Sequence, residues 1–284
     1  MIYIHKTSIV NFTEETNEDV KAACKKVAPA LMRRTDRFIQ LGLLGCAGII
    51  DNSPLNSNTA LYMATGQGNL SVFNRICAHH YIEQLPPKPV DFINSLSNTA
   101  GFYIAKFLGL NSKNLNVAQH GFVAENTLLL ACNDLKLKRE QQVLVGGVDE
   151  LLMPLDFTKK FLGLSNDQPL GEGSNWMLLN ANQEHALAKI EVNPRAMNDS
   201  EVEYYLKQSQ GGEQLAFGYR CPKAEREALL AIAKHSQFDY ESECGFYETL
   251  PFYVMNLFIE TQQGVMIFID YFEGAYRIIT IEVL

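Results

Sequence analysis

Basic charge is scarce in this chain: 24 Lys and Arg stand against 32 Asp and Glu over 284 residues, a formal net charge of −8. Phosphate binding needs a basic face, so the composition argues against nucleic acid as a partner. The same acidic balance gives no support for direct docking of an acidic carrier protein. Long apolar runs are missing as well, none reaching the ~18 residues of a membrane span. The opening M-I-Y-I-H-K-T-S lacks the basic segment and apolar stretch of a secretory signal. The six cysteines (24, 46, 77, 132, 221 and 244) include no C-x-x-C and mostly sit in apolar helical patterns. They read as reduced core thiols of a cytoplasmic protein. The G-x-G at 66–68 has Ser71 where a dinucleotide fingerprint needs its third glycine, and no acidic residue on a following strand supports a ribose site. His79 and His80 are adjacent and so point apart, without a thiol or carboxylate at ligand spacing. No metal and no cofactor is expected. Repeats of short period and low-complexity tracts are absent too.

What is present is a chain with 47% hydrophobic residues, enough for one large domain or two fused halves. It is organised around residues 114–135. There a short buried strand (Leu115, Val117) meets a sharp turn at Gln119, His120 and Gly121 and runs into a helix whose apolar face is Val123, Ala124, Leu128, Ala131, Cys132 and Leu135. A strand feeding a helix through a tight turn is a common mount for a nucleophile, because the helix N-terminus lowers a thiol's pKa. This turn offers Gln, His and Gly, and neither Cys nor Ser.

Around that stretch the patterns alternate. Residues 1–12 read as an edge strand or hairpin arm. Val20, Ala23, Val27 and Leu31 keep helical spacing, and Arg33, Arg34, Asp36 and Arg37 open a second helix as a solvated cap. Residues 58–68 are a buried strand ending in a glycine loop. Residues 94–110 form a helix in which Ser97, Gly101 and Ala105 lie four apart, a register that permits close backbone approach. Residues 141–149 and 167–179 are two further strands with glycine turns. Strands alternating with helices over the first 180 or so residues predict an α/β layer with a mostly parallel sheet. Beyond His185 the pattern thins to a polar stretch at 201–213 that is helical at first and then loop, helices at 223–235 and 251–261, and two closing antiparallel strands.

Four segments in order give a resemblance. R-R-T-D-R-F at 33–38, S-N-T-A-G-F at 97–102, V-G-G-V-D-E at 145–150 and L-G-E-G-S-N-W-M-L-L at 170–179 resemble motifs of the β-ketoacyl synthases, members of the thiolase-like superfamily. The fold so implied is α/β, layered α-β-α-β-α, with residues 1–185 as its N-terminal half and 186–284 as a shortened C-terminal half. Alignment puts Gly121 at the family's nucleophilic cysteine, and a one-residue slip would put His120 there. Neither can form an acyl thioester. Only His185 and His235 follow the G-E-G strand, in neither of the family's histidine motifs, and residues 244–253 carry no imidazole.

An intact fold with a stripped site is similar to the chain length factors of type II polyketide systems, and to the short partner subunits of aryl polyene clusters. The resemblance implies a non-catalytic subunit that heterodimerises with a catalytic β-ketoacyl synthase, stabilises it and shapes an acyl-chain tunnel. It would meet acyl carrier protein only through that subunit. The helix carrying Ser97, Asn98, Gly101 and Ala105 would form the interface, and Phe92, Phe102, Tyr103 and Phe122 are candidates for the tunnel wall. Two other readings stay open: a homodimeric acyl-binding protein, and a divergent acyltransferase or hydrolase using His120 as base. The last needs a Ser or Cys and a carboxylate to orient the imidazole, and no such set is visible in the sequence.

Overall fold

The computed structural model describes residues 1–16, 18–50, 54–209, 211–233 and 235–284. The chain begins with β1 (Ile2–Ser8), β2 (Asn11–Thr13), α1 (Val20–Val27) and α2 (Arg37–Ala47). Asp19 caps α1 by accepting from the Ala22 amide at 2.9 Å. Pro29 has no amide to continue the ladder, so Leu31 falls in a 3-10 turn instead of extending α1. Next come β3 (Ala60–Thr65), α3 (Leu70–Cys77), α4 (Pro89–Asn94), α5 (Asn98–Leu108), β4 (Asn114–Ala118) and α6 (Val123–Lys136). β5 (Gln142–Asp149), α7 (Leu155–Leu162) and β6 (Gly171–Asn180) follow. The remainder is β7 (Ala188–Val192), α8 (Asp199–Lys207), β8 (Gln214–Phe217), α9 (Lys223–Ala233), β9 (Ser236–Gln237), α10 (Leu250–Thr261), β10 (Val265–Phe272) and β11 (Ala275–Val283). The expected helix at 223–235 thus ends at Ala233, and position 234 lies outside the described residues.

Strand order runs β4-β3-β5-β6-β1-β7-β11-β10-β8-β9, with β2 paired to β6. Alternation along each strand builds the layers. Ala60, Tyr62 and Ala64 of β3 face one core, whereas Leu61 and Met63 face a second, under α2 and α5. On β10, Met266 and Phe268 share the first core, while Ile267 and Ile269 turn to a third one that also takes in Val202 and Leu206 of α8 and Leu229 of α9. The apolar residues of α6 and α10 belong to the first core, between the two halves of the sheet. The result is α-β-α-β-α, the layering expected.

Several expectations need correction. β1 is no edge: it pairs antiparallel with β6 on one side and β7 on the other, and its first residues Ile2, Tyr3 and Ile4 are buried. The first-half sheet is parallel only across β4, β3 and β5, and turns antiparallel at β6 and β1. β4 is the edge strand, half exposed instead of buried. The segment 94–110 is two helices, since the turn at 95–97 separates α4 from α5, and α5 ends at Gly109 in the left-handed conformation (φ +68°). β7 and β8 are short, and the polar residues around them hide their alternation from the sequence.

Candidate functional site

The turn joining β4 to α6 has left-handed backbone at two successive residues, Gly121 (φ +64°) and Phe122 (φ +51°). A non-glycine residue in that region costs of order 1 kcal/mol, and it is held here because α6 must start directly off the sheet. Gln119 is spent inside the turn: its amide N–H bonds Thr65 O at 3.2 Å, and its side chain donates to Gly121 O at 3.0 Å. A Cβ on Gly121 would stand 2.5 Å from Cγ of Phe272, so the space a side chain at this position would occupy is filled by that ring.

Beside the turn stands Glu248, from the loop before α10, with its side chain 1% exposed. His120 Nδ1 lies 3.2 Å from its Oε1, the Gly121 amide donates to Oε2 at 3.2 Å, and Arg220 donates to both oxygens, at 2.9 Å to Oε2. Arg220 also donates to Leu162 O and lies over the rings of Phe246 (4.6 Å) and Phe272 (5.0 Å). Burial alone would raise the Glu248 carboxyl, but the bonds from His120 and Arg220 outweigh it and hold the group below the ordinary range. The same bond from Glu248 raises His120. Glu248 lies in the C-G-F-Y-E-T-L segment, where the sequence shows no imidazole. It is the orienting carboxylate that sequence reasoning missed, 128 residues from its histidine.

The motif residues are largely structural. Arg37 clamps Glu172 of the G-E-G segment with both nitrogens, Nε at 3.0 Å, and Glu172 is 2% exposed. Arg33 and Arg34 are exposed as expected but close the 3-10 turn at 29–34, Asp36 being the residue that caps α2, and the solvated reading fails for Arg37. Asp149 accepts from Thr65 Oγ1, the Gly66 amide and the Thr249 amide, and burial pushes its carboxyl up to about 6. Glu150 accepts from the Ser71 amide and is pushed by burial up to about 7. His185 is exposed and His235 bonds Ser209 Oγ. Neither lines the cleft described below.

The small-residue helix serves the chain's own packing at one point: a Cβ on Gly101 would stand 2.9 Å from Oδ1 of Asn114, whose amide donates to Gly101 O. Ser97 and Ala105 are half-buried and Asn98 is exposed. Phe92 and Phe102 point outward, Tyr103 is half-buried, and Phe122 packs edge-on to Phe272. None of these four lines the cleft of about 1030 Å³ that opens above the turn between His120, Phe161, Arg220, Lys223, Leu230 and Phe272. Among the described residues, nine of nineteen exposed large apolar side chains fall between residues 73 and 102, on α3, α4, α5 and their connections. These elements adjoin one another and the open edge of β4. No helix is long and apolar enough to cross a membrane among the described residues.

The mixed α/β layers match the fold of the thiolase-like β-ketoacyl synthases across the full chain. The chain is similar in structure to the ishigamide ketosynthase/chain length factor (TM-score 0.78, 14% identity), covering 100% of this chain and 99% of that one. It is similar also to the AntDE:AntF complex, a type II polyketide acyl-carrier protein with its ketosynthase bound to the hexaketide (TM-score 0.67, 14% identity, 100% and 99% covered). A β-ketoacyl synthase from Burkholderia phymatum STM815 matches at TM-score 0.72 and 10% identity, over 100% of this chain and 99% of that one. At such identities the likeness is one of fold. No protein-family model and no curated protein matches the sequence.

Proposed function

We propose that this chain is a chain length factor: a subunit that pairs with a catalytic β-ketoacyl synthase, stabilises it and walls part of the tunnel for the growing acyl chain. It performs no condensation of its own and meets acyl carrier protein through its partner. The observation that carries the reading is the filled turn. The synthase fold is intact, yet Phe272 occupies the space above Gly121 where a nucleophile would project. A second observation supports pairing. The open edge of β4 presents unpaired backbone groups beside a large exposed apolar face, and such surfaces mark protein interfaces. Asn98, Phe92 and Phe102 lie exposed on that side, on α4 and α5. In this reading Phe92 and Phe102 meet the partner and reach the tunnel only across the joint surface.

The test is co-expression with a type II β-ketoacyl synthase, followed by size-exclusion chromatography and a condensation assay. A stoichiometric complex, whose activity depends on the synthase's cysteine and whose product length shifts when Phe102 is changed, is the expected result. A chain that stays apart from every such synthase, or activity that survives loss of that cysteine, would sink the reading.

A further inference from the structure

His120 has two ring nitrogens with different surroundings. Nδ1 is committed to Glu248, a carboxylate that is itself buried and held by Arg220 and the Gly121 amide. Nε2 is the nitrogen left for the cleft, whose wall His120 helps to form. Phe161 meets the imidazole edge-on at 5.2 Å and limits its rotation. This is an imidazole fixed in tautomer and direction by a carboxylate, facing a cleft large enough for a ligand of several hundred Å³. The pairing role uses none of it.

We propose that the cleft is a hydrolytic site for acyl esters and thioesters, with His120 as general base toward water and Glu248 as its positioning residue. The proposal stands independently of the pairing reading. Neither the cysteine thiol nor the serine hydroxyl on the cleft wall competes with water as nucleophile. Burial pushes the Cys221 thiol up to about 12, and Ser165 Oγ donates to Gln168 at 3.1 Å. Phe161, Leu162, Leu230 and Phe272 give an acyl chain apolar wall. Nε2 takes a proton from water as the water oxygen bonds to the acyl carbonyl carbon. The carbon–sulfur or carbon–oxygen bond then breaks with its electron pair leaving on sulfur or oxygen, and the imidazolium returns the proton to that atom. The products are a carboxylic acid and a thiol or alcohol, and water is the only co-reactant. Arg220 has four of its five N–H groups engaged. Its remaining N–H and its charge, on the cleft wall, favour the oxyanion of the tetrahedral intermediate.

Three charged groups act on His120: Glu248 before α10, Arg220 after β8 and Asp149 at the end of β5. Glu248 and Asp149 favour the imidazolium and Arg220 opposes it, which sets the base for work near neutrality. The full-length protein, purified alone, is to be assayed with p-nitrophenyl hexanoate and with hexanoyl-N-acetylcysteamine across the neutral pH range. We expect saturable hydrolysis that rises with pH through one inflection above the ordinary imidazole value. His120→Gln should lower kcat/KM about 100-fold. Its side chain is 43% exposed, so this variant keeps its fold and carries the test. Glu248→Gln should lower kcat and move the inflection toward the ordinary imidazole value, a change that loss of structure alone does not produce. Hydrolysis no faster than buffer, or unchanged in His120→Gln, overturns the proposal, and an inflection unmoved in Glu248→Gln removes Glu248 from its role. Co-purification with a synthase is scored separately. A complex without hydrolysis sinks this site alone, and hydrolysis without a complex sinks the pairing reading alone.

Discussion

Phe272 and Gly121 exclude each other's enlargement: the ring of the first sits 2.5 Å from where a Cβ on the second would begin. One comes from the end of β10 and the other from the turn before α6, 151 positions earlier, so the site is closed by the meeting of the two halves of the fold.

Restoring a thiol by itself is therefore expected to fail. Gly121→Cys should destabilise by about 2–4 kcal/mol, through overpacking and the left-handed backbone. It should not be acylated when mixed with an acyl-thioester donor. Combining it with Phe272→Ala removes the clash, so the double variant should be more stable than the sum of the singles by about 1 kcal/mol or more. Urea unfolding of the four proteins measures that coupling, and strict additivity would place the ring elsewhere.

Arg37 holds a buried carboxylate. Arg37→Ala leaves Glu172 with the Leu151 amide as its remaining partner and should cost about 1–3 kcal/mol, since the arginine side chain is 41% exposed and solvent screens the pair, with Arg37→Lys recovering only part because one ammonium cannot reproduce the two-pronged contact. Equal melting temperatures for the wild type and Arg37→Ala would refute the clamp.

Glu150 makes stability depend on pH with a definite sign. Its folded carboxyl titrates near about 7 because it is buried, whereas in the unfolded chain it titrates near the ordinary value of 4.5. Between these values the unfolded state has already lost the proton that the folded state keeps, so stability falls as pH rises through this window and levels above it. Glu150→Gln still accepts from Ser71 and should flatten that slope. Its advantage over the wild type should grow across the same window to about 2–3 kcal/mol. Parallel pH profiles for the two proteins would contradict the burial argument.

The imidazole of His120 gives a dependence of the same sign. Its raised folded value adds stability that is complete below the unfolded imidazole value and is lost as pH rises through the folded one. The difference between wild type and His120→Ala should shrink over that rise. Its size stays below about 1 kcal/mol because the ring is 43% exposed. Denaturant titrations of both proteins on either side of neutrality check it, and a gap that widens with pH would reverse the assignment.

The outward face of α5 gives a prediction about assembly. Phe102 is 59% exposed, so Phe102→Asp should change the stability of the isolated chain by less than about 0.5 kcal/mol. Co-purification with a synthase should be abolished. Gly101→Trp is a poor probe of the same surface, because Gly101 already packs beneath Asn114 and Asn116 and the variant would unfold its own chain. Retention of the complex by Phe102→Asp would move the contact off this face.

How legible each part was depended on the range of the forces involved. Local periodicity marked α6, β5, β6, α10 and the closing strands, because one apolar face per element is a property of neighbouring residues. The turn's lack of a nucleophile could be read directly from Gln119, His120 and Gly121. Strand neighbours could not: β1 looks like an edge until β7, some 180 residues later, covers its second side. Arg37 read as a solvated cap residue because its partner Glu172 is 135 residues away.

The sequence by itself determined the type of the strongly periodic elements, the acidic charge and the absence of a thiol or hydroxyl at the turn, all written in adjacent residues. Tertiary structure alone decided what occupies the vacated place. Only the closure of β10 and the α10 loop over the α6 turn brings Phe272 against Gly121, Glu248 against His120 and Arg220 against both oxygens of that carboxylate. Contacts between such distant segments follow from the order in which strands pair, and periodicity along the chain carries no record of that order.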